Sequence, residues 1–183
     1  MNSAKIRRIT RIGVFVALTT VGAWISIPVG QVPITLQLFF VLLSGYVLGA
    51  EDGFIAMLLY LLLGAIGFPV FANFSGGLSV ILSPLGGYLI SFPFAAFVAG
   101  KSLLLKNKSL KFTISIFAPI FVIYLFGSAQ LSFFLKSYKK AIMVGVIPFV
   151  VIDLIKAFVA LAVAIKINNS YNKTKRKDEI YGR

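Results

Sequence analysis

Charged residues are missing from most of this chain. None occurs within 12–50, 53–100 or 112–135, and 141–165 is interrupted only by Asp153 and Lys156. A helix that crosses a bilayer needs about 20 predominantly apolar residues. The first two runs are each long enough for two such helices and the last two for one each. The pattern predicts spans at 10–28, 35–49, 53–68, 83–101, 112–132 and 142–166. No repeat of fixed period is visible, so the expectation is one all-α integral membrane protein domain with six transmembrane helices.

Composition agrees. Hydrophobic residues make up 59% of the 183 and charged residues 13%, against about 45–50% and 25% in an ordinary soluble domain. The chain has no Cys and no His. That excludes disulfides, a thiolate nucleophile, a histidine base and His/Cys metal sites.

A net charge of +13 would suggest nucleic acid in a soluble protein, but the positions of the charges point elsewhere. Lys5, Arg7, Arg8 and Arg11 precede the first span, and Lys101, Lys106, Lys108 and Lys111 lie between the fourth and fifth. Lys166, Lys173, Lys175, Arg176, Lys177 and Arg183 follow the last, all on one side of the membrane. Lys136, Lys139 and Lys140 fall on the other. An excess of Lys and Arg marks cytoplasmic loops, so both termini are placed in the cytoplasm and no nucleic-acid partner is expected. Residues 1–11 then form a basic cytoplasmic N-terminus, 12–166 the membrane domain, and 167–183 a polar cytoplasmic tail whose composition predicts disorder. The basic start and Val21-Gly22-Ala23 mimic a signal peptide, yet the apolar run continues to Pro28 and cleavage would leave an odd number of spans. No cleavage is expected.

Residues 95–102, AAFVAGKS, match the loosest form of a phosphate-binding loop. That motif requires a strand before the loop and a helix after it, and here an apolar span precedes Gly100. A helix end with an interfacial lysine accounts for the residues more simply.

Asp153 is the one acidic residue and Lys156 the one basic residue in the interior of a span. Three residues on a helix turn about 300° and rise about 4.5 Å, so the two side chains share a face one turn apart. A charge at the membrane centre costs about 2.5–3.5 kcal/mol on insertion scales. Two readings follow: a self-satisfied pair that fixes the sixth span, or a ligand contact reached from outside. Residues 67–88, rich in Gly and Pro, lie at the outer face between spans three and four. Irregular apolar backbone at that depth must be buried or line a cavity. This predicts a folded-in lid whose polar atoms come from Asn73, Ser75 and Tyr88. Residues 24–37 form the other long outer connection, with Trp24 at the interface and Thr35 and Gln37 entering span two. Pro93, Pro119 and Pro148 are expected to kink their spans. Gly13 and Ala17, four apart in span one, form a small-residue face suited to close helix approach, either within the bundle or toward another protein.

Three blocks, PITLQLFFVLLSGYVLG (33–49), LLYLLLGAIGFPVFANFSGGLSVILSPLGGYLISFP (58–93) and GVIPFVVIDLIKA (145–157), closely resemble the BioY family. Its members are the biotin-binding S components of energy-coupling-factor (ECF) vitamin transporters. The blocks occur in the family's order, and the resemblance covers most of 12–165. It implies an ECF S-component-like six-helix bundle in the cytoplasmic membrane of a prokaryote. It also implies a membrane-coupling T subunit and two ABC-type ATPase subunits as partners, and biotin as substrate, with no cofactor, metal or catalytic residue. Carried over by position, it assigns Asp153 and Lys156 as biotin contacts. Phe74, Ser75, Gly76, Gly77, Tyr88 and Gln37 become pocket elements. The family's A-x-x-x-A contact with the T subunit reads Gly13-x-x-x-Ala17 here. Asp153 can accept from the ureido N–H of biotin, Lys156 can donate to its ureido oxygen or carboxylate, and Trp24, Phe71, Phe74 and Tyr88 suit its apolar parts. An S component for another small vitamin is the nearest alternative. An intramembrane enzyme is the distant one, since it would need a second carboxylate, a Ser–His pair or a metal.

Overall fold

The uncharged runs fold as helices, and glycine and proline set where they stop. The computed structural model describes residues 3–28 and 32–181 and places side chains as far as Ser170. Parts of the predicted N-terminus (1–2), outer connection (29–31) and tail (182–183, with Arg183) lie outside the described residues. The helices are α1 (Ser3–Trp24), α2 (Gln37–Leu48), α3 (Ala50–Ala65), the single turn α4 (Leu78–Ile81), α5 (Gly86–Ser102), α6 (Lys108–Leu135), α7 (Tyr138–Gly145) and α8 (Val150–Tyr181). One 3-10 turn, Ala72–Phe74, lies in the connection between α3 and α4.

The structure adds details that the apolar pattern does not show. Two-residue strands β1 (Ser26–Ile27) and β2 (Ile34–Thr35) pair antiparallel, Ser26 opposite Thr35, in a connection where Pro28 and Pro33 disfavour helix. Gly49 alone separates α2 from α3, with φ 88° and ψ 174°, a conformation essentially confined to glycine. The expected sixth span is two helices, α7 and α8, bent by 56° across 146–149, where Pro148 sits. The tail does not follow its composition: α8 runs on to Tyr181, because extending an existing helix costs far less than starting one. Residues 95–102 belong to continuous helix α5, and the Lys101 ammonium lies 5.4 Å from the Phe97 ring centre.

By length and apolarity, α6 alone among the described residues suffices to cross a membrane. α7 with the apolar part of α8 makes a second span if the bent pair is counted as one. α2 has only 12 residues, about 18 Å of helix at 1.5 Å per residue.

α2 is the centre of the packing, in contact with α1, α3, α5 and α8. Small residues are frequent on the buried faces of α5 and α8. Ala95, Ala96 and Ala99 of α5 and Ala157, Ala160 and Ala164 of α8 are fully buried, while Phe94, Val151, Ile155 and Phe158 point outward. Small residues at these helix contacts, with many large apolar side chains on the outside, match bundles in lipid, where small residues let backbones approach. At the α2–α5 crossing, a Cβ on Gly45 would collide with the Ala96 carbonyl oxygen.

The two ends of the bundle differ. At one, Arg8 donates to Asp52 at 2.5 and 2.8 Å, and the Asn168 amide donates to the Tyr46 carbonyl at 3.2 Å. At the other end the two irregular connections meet, where Trp24 Nε1 donates to the Pro69 carbonyl at 2.9 Å. The predicted basic segments therefore gather at one end and the predicted outer connections at the opposite one.

The α2–α5 crossing is directly testable. Gly45→Ala should lower the thermal midpoint of the detergent-solubilised protein, with a loss of about 1–3 kcal/mol from overpacking. Gly13→Ala, where nothing lies within 4 Å of the added carbon, should leave the midpoint unchanged or slightly raised. Equal losses at both positions would contradict the close crossing.

Candidate functional site

Asp153 lies in the first turn of α8, so its carboxylate benefits from the positive end of the helix dipole. It is 7% exposed. One carboxylate oxygen accepts from Lys156 Nζ at 2.9 Å. The other accepts from the Tyr124 hydroxyl of α6 at 2.8 Å. A carboxylate has about four acceptor positions and an ammonium three donors. The cluster therefore keeps unused acceptors on Asp153 and unused donors on Lys156, side by side.

These groups form one wall of a cavity of about 290 Å³, near the lower end of the range of about 300–1,000 Å³ for small-molecule sites. Leu89 and Phe92 of α5 with Phe149 supply apolar surface, and Gln37 and Leu38 of α2 close another side. Tyr88 donates its hydroxyl to the Gly145 carbonyl at 2.8 Å, a group freed by the break between α7 and α8. Its ring packs against Gly127, where a Cβ would collide with it. Tyr88 thus lines the cavity with its hydroxyl proton already committed to the backbone.

The connection after α3 covers the cavity. Phe71 is 1% exposed, fits against Gly64 and meets Tyr60 edge to face at 5.6 Å. Asn73 and Phe74 follow with φ of 57° and 56°. Asn tolerates this left-handed conformation, whereas for Phe it costs about 1–2 kcal/mol. The sharp turn sends the two side chains in different directions. Asn73 faces the cavity and accepts from the Ser26 hydroxyl at 2.9 Å. Phe74 lies outside, stacked on Trp24 at 5.0 Å. Gly77, with φ 96°, stitches the segment back to α3 through its N–H to the Gly64 carbonyl at 2.7 Å.

Of the residues singled out from the sequence, Gln37, Phe71, Asn73, Ser75, Tyr88, Asp153 and Lys156 line this one cavity. Trp24, Phe74, Gly76 and Gly77 do not line it; they form the clasp and hinge that hold its cover. Gly13 and Ala17 lie on the exposed face of α1. Sequence reasoning passed over Tyr124, whose signal was a hydroxyl in the middle of an otherwise apolar run. Among the described residues, no group of three or more Asp, Glu, His or Cys stands close enough to hold a metal ion.

The model of the BioY family matches residues 1–173. The chain is 48% identical to a biotin transporter BioY of Thermotoga maritima, over 88% of this chain and 95% of that one. It is 45% identical to a probable biotin transporter BioY of Pyrococcus horikoshii, over 91% and 99%. Its fold matches the crystal structure of an S-component for biotin from an ECF-type ABC transporter, with a TM-score of 0.80 and 26% identity over 92% of this chain and 94% of that one.

The buried cluster predicts a stability pattern of its own. Asp153→Leu leaves the Lys156 ammonium without its partner and should cost about 3–5 kcal/mol. The double variant Asp153→Leu/Lys156→Met removes both charges and should recover most of that loss. Thermal unfolding of ligand-free protein in detergent checks this, and additive losses would show that the two side chains do not stabilise each other.

Proposed function

The chain belongs to the BioY family, and from that premise we propose that it is the high-affinity biotin-binding S component of an ECF-type ABC transporter. It is a transport protein and not an enzyme, and biotin is its substrate rather than a cofactor. The observation that carries the reading is the Asp153–Lys156–Tyr124 cluster opening into a cavity whose other walls are largely apolar, with a few polar side chains such as Gln37 and Asn73.

Biotin asks for that combination. Its ureido ring has two N–H donors and one carbonyl acceptor, its fused thioether ring and chain are apolar, and its tail is a carboxylate. Asp153 accepts from a ureido N–H, and Lys156 donates to the ureido oxygen or the carboxylate. Tyr88, Phe92 and Phe149 pack against the apolar rings.

Six membrane crossings follow from assigning one to each of α1, α2, α3, α5 and α6 and one to the bent pair α7–α8. The outward-facing large apolar side chains support this assignment. The basic end faces the cytoplasm with both termini, so the cavity opens to the outside. The cover between α3 and α5 closes over captured biotin. A T subunit and two ATPases supply the energy, and the exposed Gly13–Ala17 face of α1 suits the T subunit because small residues admit a close helix.

Calorimetry on the purified protein should detect biotin binding that thiamine and riboflavin do not compete away. Asp153→Asn and Lys156→Met should each weaken it by about 10–100-fold, since a hydrogen bond to a charged group contributes about 1.5–3 kcal/mol and 1.4 kcal/mol is tenfold. Absence of biotin binding, or unchanged affinity in both variants, would reject this reading.

A further inference from the structure

Gln37 opens α2 at the cavity wall and is 5% exposed. The two ends of its amide have opposite chemistry, and the structure assigns them. The nitrogen donates to the Tyr60 hydroxyl at 2.6 Å. That hydroxyl donates in turn to the backbone carbonyl of Val70 at 2.8 Å. A backbone carbonyl can only accept, so the single Tyr60 proton is committed to Val70, and toward Gln37 Tyr60 can only accept. The amide is therefore locked with its nitrogen toward Tyr60. Among the described residues nothing donates to its carbonyl oxygen, and no fully buried side-chain polar atom lacks a partner. That oxygen is open to the cavity Gln37 lines.

The far end of this relay belongs to the cover. Val70 precedes Phe71, whose ring is seated against Gly64 and Tyr60. Pro69 on its other side is held by Trp24. Lifting the cover therefore removes the Val70 carbonyl from Tyr60. The released hydroxyl can then donate to the neighbouring Gln37 amide, whose acceptor is its carbonyl oxygen, and it does so only if the amide turns over.

We propose that Tyr60 is a positioning residue that couples seating of the 66–77 connection to the polarity Gln37 presents in the site. With Val70 seated, Gln37 offers the ligand an acceptor. With Val70 lifted, the amide turns and a donor faces the cavity instead. The inference rests on the biotin-binding reading, in which a ureido N–H is the group that the seated form accepts from. A ligand with that N–H favours the seated state because its affinity differs between the two states, which is the condition for a ligand to shift such an equilibrium.

A double-mutant cycle on detergent-solubilised protein tests the coupling. Gln37→Leu and Tyr60→Phe should each weaken biotin binding by about tenfold, the scale of one neutral hydrogen bond. The double variant should fall short of the product of the two losses by at least about threefold, because the hydroxyl acts partly through the amide. Losses that multiply, or a Tyr60→Phe protein with unchanged affinity, overturn the proposal; a merely structural hydroxyl would give multiplying losses. Emission of Trp24, the one tryptophan, reads the cover without ligand. It should shift to the red in Tyr60→Phe and stay unchanged in Gln37→Leu, and no shift in Tyr60→Phe overturns the link from Tyr60 to the cover. Wild-type protein that binds no biotin instead rejects the functional reading, and the emission comparison still decides whether Tyr60 holds the cover.

Discussion

An aspartate and a lysine inside an apolar bundle must be satisfied by the protein itself, and much of the local architecture follows from meeting that demand. Lys156 can reach Asp153 because both lie on α8, one turn apart. The second carboxylate oxygen needs a donor from elsewhere, which Tyr124 supplies from α6. Placing Asp153 in the first turn of its helix requires a break before it, and the 56° bend at 146–149 provides one. The break frees the Gly145 carbonyl, an orphan that would be costly in an apolar setting, and Tyr88 takes it. Tyr88 reaches it because Gly127 lets the ring lie against the α6 backbone. One ion pair thus accounts for a helix break, two tyrosines and a glycine.

The remaining elements divide into a fixed part and a part able to move. The α2, α3 and α5 crossings are made by backbones in near contact at Gly45, Gly53 and Gly100, and such packing has one geometry or none. The cover is held differently. Its attachments are single hydrogen bonds from Trp24, Ser26 and Tyr60, the Gly77 N–H to the Gly64 carbonyl, the Trp24–Phe74 stack and one buried ring at Phe71, and its turn carries strain at Phe74. A segment with few buried contacts opens at lower free energy than the bundle beneath it. A capture site needs both, since the rigid wall orients the ligand and the cover gives it a way in.

Charge segregation along the sequence was enough to separate the two ends of the bundle, and the rarity of ionisable groups was enough to single out Asp153 and Lys156. Both signals survive in one dimension because they depend on composition at fixed positions. The cover was legible as a Gly- and Pro-rich apolar stretch, but its inner and outer faces were not. Asn73 and Phe74 are neighbours in sequence and part company only through a left-handed turn. Trp24 and Phe74 read as aromatic ligand contacts and instead clasp each other outside the cavity. The partners of Gln37 and Asp153, Tyr60 and Tyr124, are 23 and 29 residues away. A tyrosine in an apolar run shows nothing of its partner until the helices are packed. The bend between α7 and α8 was half visible: Pro148 marked a kink, while its size depends on where Tyr88 finds its acceptor.

Selectivity in such a site comes as much from penalty as from attraction. Asp153 is partnered by Lys156 and Tyr124, so the pair can persist at the cavity wall with its unused acceptors and donors turned to the cavity. A ligand that fills the cavity cuts those groups off from solvent and must supply their hydrogen bonds itself. On the proposed reading, one that brings adjacent donor and acceptor groups, as a ureido ring does, would meet the pair on both sides. One that brings only hydrocarbon leaves buried polar groups unsatisfied, at about 1–3 kcal/mol each and more when charged. A site built to hydrogen-bond its ligand therefore rejects an analogue lacking those groups far more strongly than a greasy pocket rejects a missing methylene. Most of the other buried hydroxyls sharpen this, because they are already committed to backbone carbonyls and offer an ill-matched ligand no free donor.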